Sequence, residues 1–425
     1  MSIIRRAVGV ILLIAAVCFS VWYLQEHYFY RADRNQLALG GFYLEDDDSL
    51  DVVLLGSSEV YSAFYSGLAY RQEGFTSYPY SYQANPITVW PYELREILMH
   101  QHPKVLIVEA NGAVYDDTLF KPASIRKLTD NIPFSRNKMD LVERYGTVSS
   151  LSYYLPLIKY HGMYFESMKA PEPPEGQGPP DEPEYVPEGF SEPVTETYPW
   201  LTILYPDLGP VPPKESGLDN WFRLDDKTVM QERGYSLLKG CLSHTRRRKT
   251  HDDIDLTTIP RTTDLDPAAE ASLNEFLDLC DASGIEHVVF ARFPHRVTSE
   301  RTIESYQRYN RLAEIVQARG YDYIDFTDHW EAIGLDAKWD FFDVDHLNAL
   351  GAEKFTAYLS RYLVEHYGVQ PSRLDARQTA AWEESARYTE AFLRYARHEI
   401  ENFNGHDRGL EERAETVEEL TENYL

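Results

Sequence analysis

Short apolar runs alternate with amphipathic helical segments along most of this sequence, and this alternation constrains the fold more than any other feature. Each helical segment ends at a glycine or proline before the next apolar run begins. The runs lie at 52–55 (VVLL), 105–108 (VLIV), 287–291 (HVVFA) and 321–326 (YDYIDF). The pattern predicts an α/β fold with a parallel sheet and helices on both faces. In such sheets, functional groups collect at the carboxyl ends of the strands.

The N-terminus carries one long apolar run, from Ala7 to Leu24, preceded by Arg5 and Arg6. This length just spans the hydrocarbon core of a bilayer as a helix, and the arginines keep its start in the cytoplasm. A cleaved signal peptide is the competing interpretation, but no Ala-x-Ala site follows closely. We therefore expect a single-pass membrane protein with a cytoplasmic N-terminus and an extracytoplasmic body.

Charge and cysteine content exclude several functions. Lys and Arg total 41 against 68 Asp and Glu, which gives a net charge of -27. Nucleic acid would be repelled by such a chain, so we expect no nucleic-acid partner. A disulfide between Cys241 and Cys280 stays open, with buried free thiols as the commoner alternative, and no cysteine spacing indicates zinc.

Composition shifts divide the chain into segments. We expect a cytoplasmic start and signal-anchor helix over 1–30, a stalk over 31–50, a catalytic domain over 51–370, and a C-terminal helical extension with an acidic tail over 371–425. A Pro/Glu-rich insert at about 170–215 is too polar to form a core. The basic stretch 244–253 (HTRRRKTHDD) is interpreted as a solvated loop, with contact to a polyanion as the alternative.

Two distant motifs indicate covalent catalysis when they are taken together. The first strand ends at Gly56, followed by Ser57 and Ser58, and a late loop carries Asp343 and His346 in Asp-x-x-His spacing. A serine is a weak nucleophile without a base, and an imidazole held by a carboxylate is such a base. Helix capping and turn formation are the ordinary alternatives for each motif alone.

With these motifs the chain resembles the SGNH (GDSL-type) hydrolase superfamily. The family's Gly-Asp-Ser block corresponds to 56–58, which matches Ser58 to the nucleophile and puts Ser57 in place of the aspartate. Its Asp-x-x-His block is matched by Asp343 and His346. The similarity extends, from about residue 50 to 365, to the membrane-anchored extracytoplasmic acyltransferase branch, which is similar to the D-alanine-transfer protein of teichoic acid synthesis. It implies a three-layer α/β/α flavodoxin-like fold after one transmembrane helix.

The resemblance also implies residues around the nucleophile. For the oxyanion it points to Asn111, outside the family's Gly-x-Asn-Asp spacing, and to Gln83 or Asn85 in place of a glycine. His161 and Lys239 match positions that recur in the branch and would line the acceptor side. From its place after a predicted strand, Arg292 is a candidate for an anionic substrate. Each has an ordinary structural role as its alternative, and Glu59 is interpreted as a helix-start acid that favours the helix dipole.

The expected function is serine-dependent O-acyl transfer, with acetyl as the expected group, to a cell-surface or secreted polysaccharide. A membrane-bound O-acyltransferase is the expected acyl donor, and no cofactor or metal is expected. The alternatives are a carbohydrate esterase, in which water is the acceptor, and a non-catalytic binding module with the same fold.

Overall fold

The computed structural model describes residues 2–27, 38–114, 122–146, 151–155, 237–247, 253–257 and 259–401. The chain divides into two units, and the described part of the first consists of helix α1 (Ser2–His27) and a short helix (Leu151–Tyr154). Within α1, the segment Ile4–Val21 has a mean hydropathy of 2.1 and is long and apolar enough to span a membrane or act as a signal anchor.

The second unit is an α/β body. Its strands are β1 (Val52–Gly56), β2 (Ser77–Ser81), β3 (Val105–Glu109), β4 (His287–Arg292) and β5 (Asp322–Asp325). Its helices, numbered along the chain with Leu151–Tyr154 counted as α7, are α2 (Ser58–Ala63), α3 (Ser66–Glu73), α4 (Trp90–His100), α5 (Pro122–Thr129), α6 (Arg136–Tyr145), α8 (Pro267–Ser283), α9 (Glu300–Ala318), α10 (Trp330–Ile333), α11 (Ala349–Tyr367) and α12 (Ala376–Glu401). Short 3-10 helices cover Gly41–Leu44, Ile87–Val89 and Ala110–Val114.

All five strands of the described sheet are parallel, in the order β2-β1-β3-β4-β5. The parallel sheet predicted from the apolar runs is therefore confirmed, and the runs correspond to β1, β3, β4 and β5. Strand β2, in which Pro79 pairs with Leu54, was not predicted from the sequence. Proline cannot donate to a sheet ladder, but β2 is an edge strand with only one neighbour, where this loss is tolerated.

Side chains of alternate strand residues enter two separate cores, one on each face of the sheet. Val52 and Leu54 belong to one core, which α3, α11 and α12 complete, while Val53 and Leu55 belong to the other, beneath α4, α8 and α9. Cys241 lies in the first core and Cys280 in the second, and both are free thiols.

The predicted stalk and the C-terminal extension both include segments that belong to the body. From Ala38 onward the expected stalk is not a stalk, because Phe42 is fully buried and packs edge-on against Tyr78 and Tyr80. Helix α12 packs against α3 and α11. The insert at about 170–215 and the acidic tail lie outside the described residues.

Candidate active site

The carboxyl end of β1 brings the sequence Gly56-Ser57-Ser58 into a tight turn that leads directly into α2. Ser57 is the N-cap, and its Oγ accepts a hydrogen bond from the Glu59 amide at 3.3 Å. A side chain at Gly56 would place its Cβ 2.6 Å from the Cβ of Glu109 on β3. The turn therefore requires glycine because two strands approach closely here, and Ser58 follows as the first helical residue.

Ser58, His346 and Asp343 form a continuous hydrogen-bonded line. The imidazole Nε2 of His346 lies 2.8 Å from Ser58 Oγ, and its Nδ1 lies 2.8 Å from Asp343 Oδ1. An ionised carboxylate can only accept, so Nδ1 carries the proton and Nε2 accepts from the serine hydroxyl. Asp343 Oδ1 also accepts from the backbone amides of Asp345 (2.9 Å) and His346 (2.8 Å), which closes the turn around the carboxylate.

Electrostatics favour a basic imidazole at this position. Burial opposes charge on Asp343, but the hydrogen bond and charge of His346 outweigh it and lower the Asp343 pKa to about 2. Burial likewise opposes protonation of His346, yet the hydrogen bond and charge of Asp343, followed by Glu59, raise its pKa. A raised pKa makes the neutral imidazole a stronger proton acceptor, which is what an attacking serine requires.

No protein-family model matches this chain, and no curated protein matches it either. Among the residues that the structure describes, no group of three or more His, Cys, Asp or Glu side chains is arranged to hold a metal ion. The candidate site is thus defined by the geometry of its own side chains.

Asn111 lies next to the turn at Gly56-Ser57-Ser58, and both hydrogens of its side-chain amide form hydrogen bonds. Its Nδ2 donates to Ser57 Oγ (2.9 Å) and to Glu59 Oε1 (2.7 Å), while its Oδ1 accepts from the Tyr309 hydroxyl at 3.0 Å. Its backbone amide donates to Glu109. In this arrangement Asn111 organises the turn around Ser58 and points its donors at Ser57 and Glu59.

The two side chains that were expected to replace the family's glycine lie in different environments. Asn85 is fully buried, and its Nδ2 donates to the carbonyl of Gly56 (2.9 Å) and to the carboxylate of Glu93 (2.9 and 3.0 Å). Asn85 therefore supports the end of β1. The Gln83 side chain is exposed, and its backbone carbonyl accepts from Lys127.

Lys239 is buried and contacts Glu45 and Trp382, neither of which belongs to the triad. Its Nζ lies 2.6 Å from Glu45 Oε1 and 4.4 Å from the ring centre of Trp382, and only 2% of its surface is exposed. A buried, paired ammonium of this kind is not presented to a soluble acceptor. His161 lies outside the described residues.

Arg292 ends β4 at the same edge of the sheet as Ser58, as the sequence predicted, but it is 2% exposed. Its Nη1 donates to Asp325 Oδ2 at 3.2 Å, and its guanidinium lies 5.1 Å from the ring centre of Tyr306 and 5.2 Å from that of Tyr309. The half-buried carboxylate of Asp325 and the two rings therefore balance its charge from within the protein.

Two buried residues of the site, Glu59 and His295, were misjudged or missed from the sequence. Glu59 is 3% exposed, and burial, followed by the charge of Asp345, raises its pKa well above the ordinary value. His295 is 2% exposed and lies between Glu59 and Asp345. The one available signal was position: His295 follows β4 at the carboxyl edge, only three residues after Arg292.

Basic residues of the stretch 244–253 contact aromatic side chains of the segment that carries the Asp343–His346 turn. His244 stacks on Phe342 with ring centres 3.7 Å apart and contacts the ring of His346 edge-on at 5.9 Å. Arg247 lies 3.8 Å from the ring centre of Trp339. The basic stretch predicted as a solvated loop therefore begins beside the triad, while its residues 248–252 lie outside the described part.

Proposed function

We propose that this chain is an SGNH-type enzyme that transfers acyl groups through a covalent acyl-serine at Ser58. The observation that carries the proposal is the line from Asp343 through His346 to Ser58, with both contacts at 2.8 Å. The parallel strand order 2-1-3-4-5, with a core on each face, supports the flavodoxin-like three-layer fold expected of that superfamily.

The chemistry follows from the proton path. His346 Nε2 takes the hydroxyl proton as Ser58 Oγ attacks the acyl carbonyl, and the imidazolium is stabilised by Asp343. Collapse of the tetrahedral intermediate expels the leaving group, which takes that proton from His346. An acceptor hydroxyl then attacks the acyl-serine, gives its proton to His346, and leaves as the ester while Ser58 recovers its proton. The amide of Ser58, at the first position of α2, is the proposed oxyanion donor.

The expected setting is extracytoplasmic. Helix α1, with Arg5 and Arg6 at its start, supports a signal anchor with a cytoplasmic N-terminus. An anchor helix in the bilayer would keep the catalytic domain close to the membrane. This favours a membrane-bound O-acyltransferase as acyl donor and a cell-surface or secreted polysaccharide as acceptor.

Hydrolysis is the second candidate, and side-chain exposure favours it. The side chains of His346 and Asp343 are 19% and 32% exposed, so water reaches the base directly. With water as the acceptor, the same acyl-serine gives a carbohydrate esterase.

Labelling with a fluorophosphonate tests the nucleophile. The full-length protein in detergent is expected to be labelled, and Ser58→Ala is expected to abolish the reaction. Ser62→Ala is the matched control, because Ser62 is a buried serine one turn later whose hydroxyl donates to the Ser58 carbonyl at 2.7 Å. A folded wild-type protein that resists labelling would refute catalysis and leave the binding module.

The acyl content of cell-surface polysaccharide separates transfer from hydrolysis. Cells that carry Ser58→Ala are compared with wild-type cells for ester-linked acyl groups on these polymers. Loss of acyl groups supports the transferase, and a gain supports the esterase.

A further inference from the structure

His295 is a buried titratable side chain beside the candidate triad that has no part in the proposed mechanism. His295 lies in the loop after β4, with its Nδ1 3.4 Å from Glu59 Oε1 and its Nε2 3.3 Å from Asp345 Oδ1. Glu59 directly follows the nucleophile, and Asp345 lies inside the Asp343–His346 turn. The imidazole therefore stands between the two chain segments whose relative position sets the Ser58–His346 distance.

We infer that His295 is a positioning residue, which bridges Glu59 and Asp345 and so holds His346 within hydrogen-bonding distance of Ser58. This inference rests on the proposed function only for its effect on rate. The bridge itself is a structural statement that can be tested without catalysis.

The protonation of His295 and of its neighbours is compatible with such a bridge. Burial lowers the pKa of His295 to about 4, so the ring is neutral and has one donor and one acceptor nitrogen. Burial raises the pKa of Glu59, and in its neutral form this carboxyl group can donate to an acceptor nitrogen of the ring. The remaining N–H then faces the carboxylate of Asp345. Neither contact has the geometry of a formed hydrogen bond, so the imidazole lies close to both side chains while its two nitrogens stay unpaired.

Neighbouring contacts hold the ring in this orientation. Tyr309 meets the imidazole edge-on, with ring centres 5.6 Å apart, and its hydroxyl donates to Asn111, which in turn donates to Glu59. One residue later, the amide of Arg296 donates to the Val344 carbonyl at 3.0 Å. The loop after β4 therefore contacts the turn at 343–346 through a backbone hydrogen bond and through the side chain of His295.

Turnover of 4-nitrophenyl acetate by the full-length protein tests the effect on rate. His295→Leu removes both polar contacts, and kcat is expected to fall by about 10- to 100-fold with KM little changed, because the base is displaced rather than the substrate. His295→Gln keeps a donor and an acceptor and is expected to recover part of the loss. His329→Leu is the matched control, since His329 contacts Tyr358 on α11 and is expected to retain wild-type turnover.

A double-variant cycle separates positioning from general destabilisation. If His295 acts through Asp345, then adding Asp345→Asn to His295→Leu should cost no more than about a further twofold in kcat. Losses that multiply, or a folded His295→Leu protein whose kcat equals that of the wild type, would overturn the inference.

Hydrogen exchange tests the bridge independently of chemistry. Amides within 341–348 are expected to exchange at least about tenfold faster in His295→Leu, and at the wild-type rate in His329→Leu. Unchanged exchange in His295→Leu contradicts the positioning role whatever the enzyme does. Faster exchange in a protein without Ser58-dependent turnover supports the bridge and refutes the proposed function instead.

Discussion

Replacing Asp343 by asparagine keeps the size of the side chain and removes the charge on which the base depends. The Asp343 carboxylate accepts hydrogen bonds from the imidazole of His346 and from two backbone amides. The fall of its pKa from 3.8 to about 2 corresponds to about 2 kcal/mol of favourable interaction, an upper value because the side chain is nearly a third exposed. Asp343→Asn is therefore expected to lower the free energy of unfolding at pH 7 by up to about 2 kcal/mol.

The sign of the pH dependence follows from the direction of each pKa shift. The lowered Asp343 pKa contributes stability that is present above pH 3.8 and is lost as the pH falls through about 2. His346 must be neutral to accept the serine proton, so the rate of fluorophosphonate labelling should rise with pH, with a midpoint above 6.5 in the wild type. Without Asp343 that midpoint should move to lower pH, because burial then acts with less opposition.

The assay is the labelling rate of the full-length protein across a pH series, accompanied by urea unfolding at pH 7. In Asp343→Asn the rate at the upper plateau should fall by about 10²- to 10⁴-fold, since the imidazole loses its orienting charge. Asp328→Asn, at an exposed aspartate beyond β5, should match the wild type in both measurements. An unchanged midpoint together with a plateau within threefold of wild type would show that Asp343 does not act on the base.

Three further perturbations test the surroundings of the site. Gly56→Ala places a Cβ 2.6 Å from that of Glu109, so it should cost about 1–3 kcal/mol of stability in urea unfolding and should also slow labelling. Lys239→Met leaves the carboxylate of Glu45 buried and unpaired, at an expected cost of about 3–5 kcal/mol, while the folded fraction should be labelled at the wild-type rate. The lowered pKa of His295 contributes stability that is present above pH 6.5 and is lost as the pH falls through about 4. This contribution to the free energy of unfolding is about 3 kcal/mol. In His295→Gln, the free energy of unfolding should therefore fall less on acidification than it does in the wild type.

The strands of the sheet interior were predictable because burial on both faces leaves a continuous apolar run in the sequence. β1 and β3 read as four or more apolar residues, and the structure places every residue of both strands in the core. β2 has the sequence SYPYS, whose serines and proline interrupt the apolar run that would predict a strand. Its pairing depends on the edge position, which is a property of the assembled sheet.

The residues of the candidate site also fall into a group that the sequence predicts and a group that only the structure reveals. Ser58, Asp343 and His346 were predictable because each belongs to a short motif that has a chemical reason for its spacing. The polar residues around them carry no such pattern. Asn85 and Lys239 resemble candidate site residues in the sequence, and only their buried partners, Glu93 and Glu45, show that they support the body.

The sequence by itself determined the α/β class, the apolar N-terminal helix and the three side chains that meet in the candidate triad, because periodicity and motif spacing are local properties. Only the tertiary structure decided the surroundings of Ser58. From the sequence, Glu59 was expected only to start a helix, but folding buries its carboxyl group between Asn111 and His295, which follow the ends of two other strands. Such contacts join residues that are far apart along the chain, and the packing of the sheet edge alone brings them together.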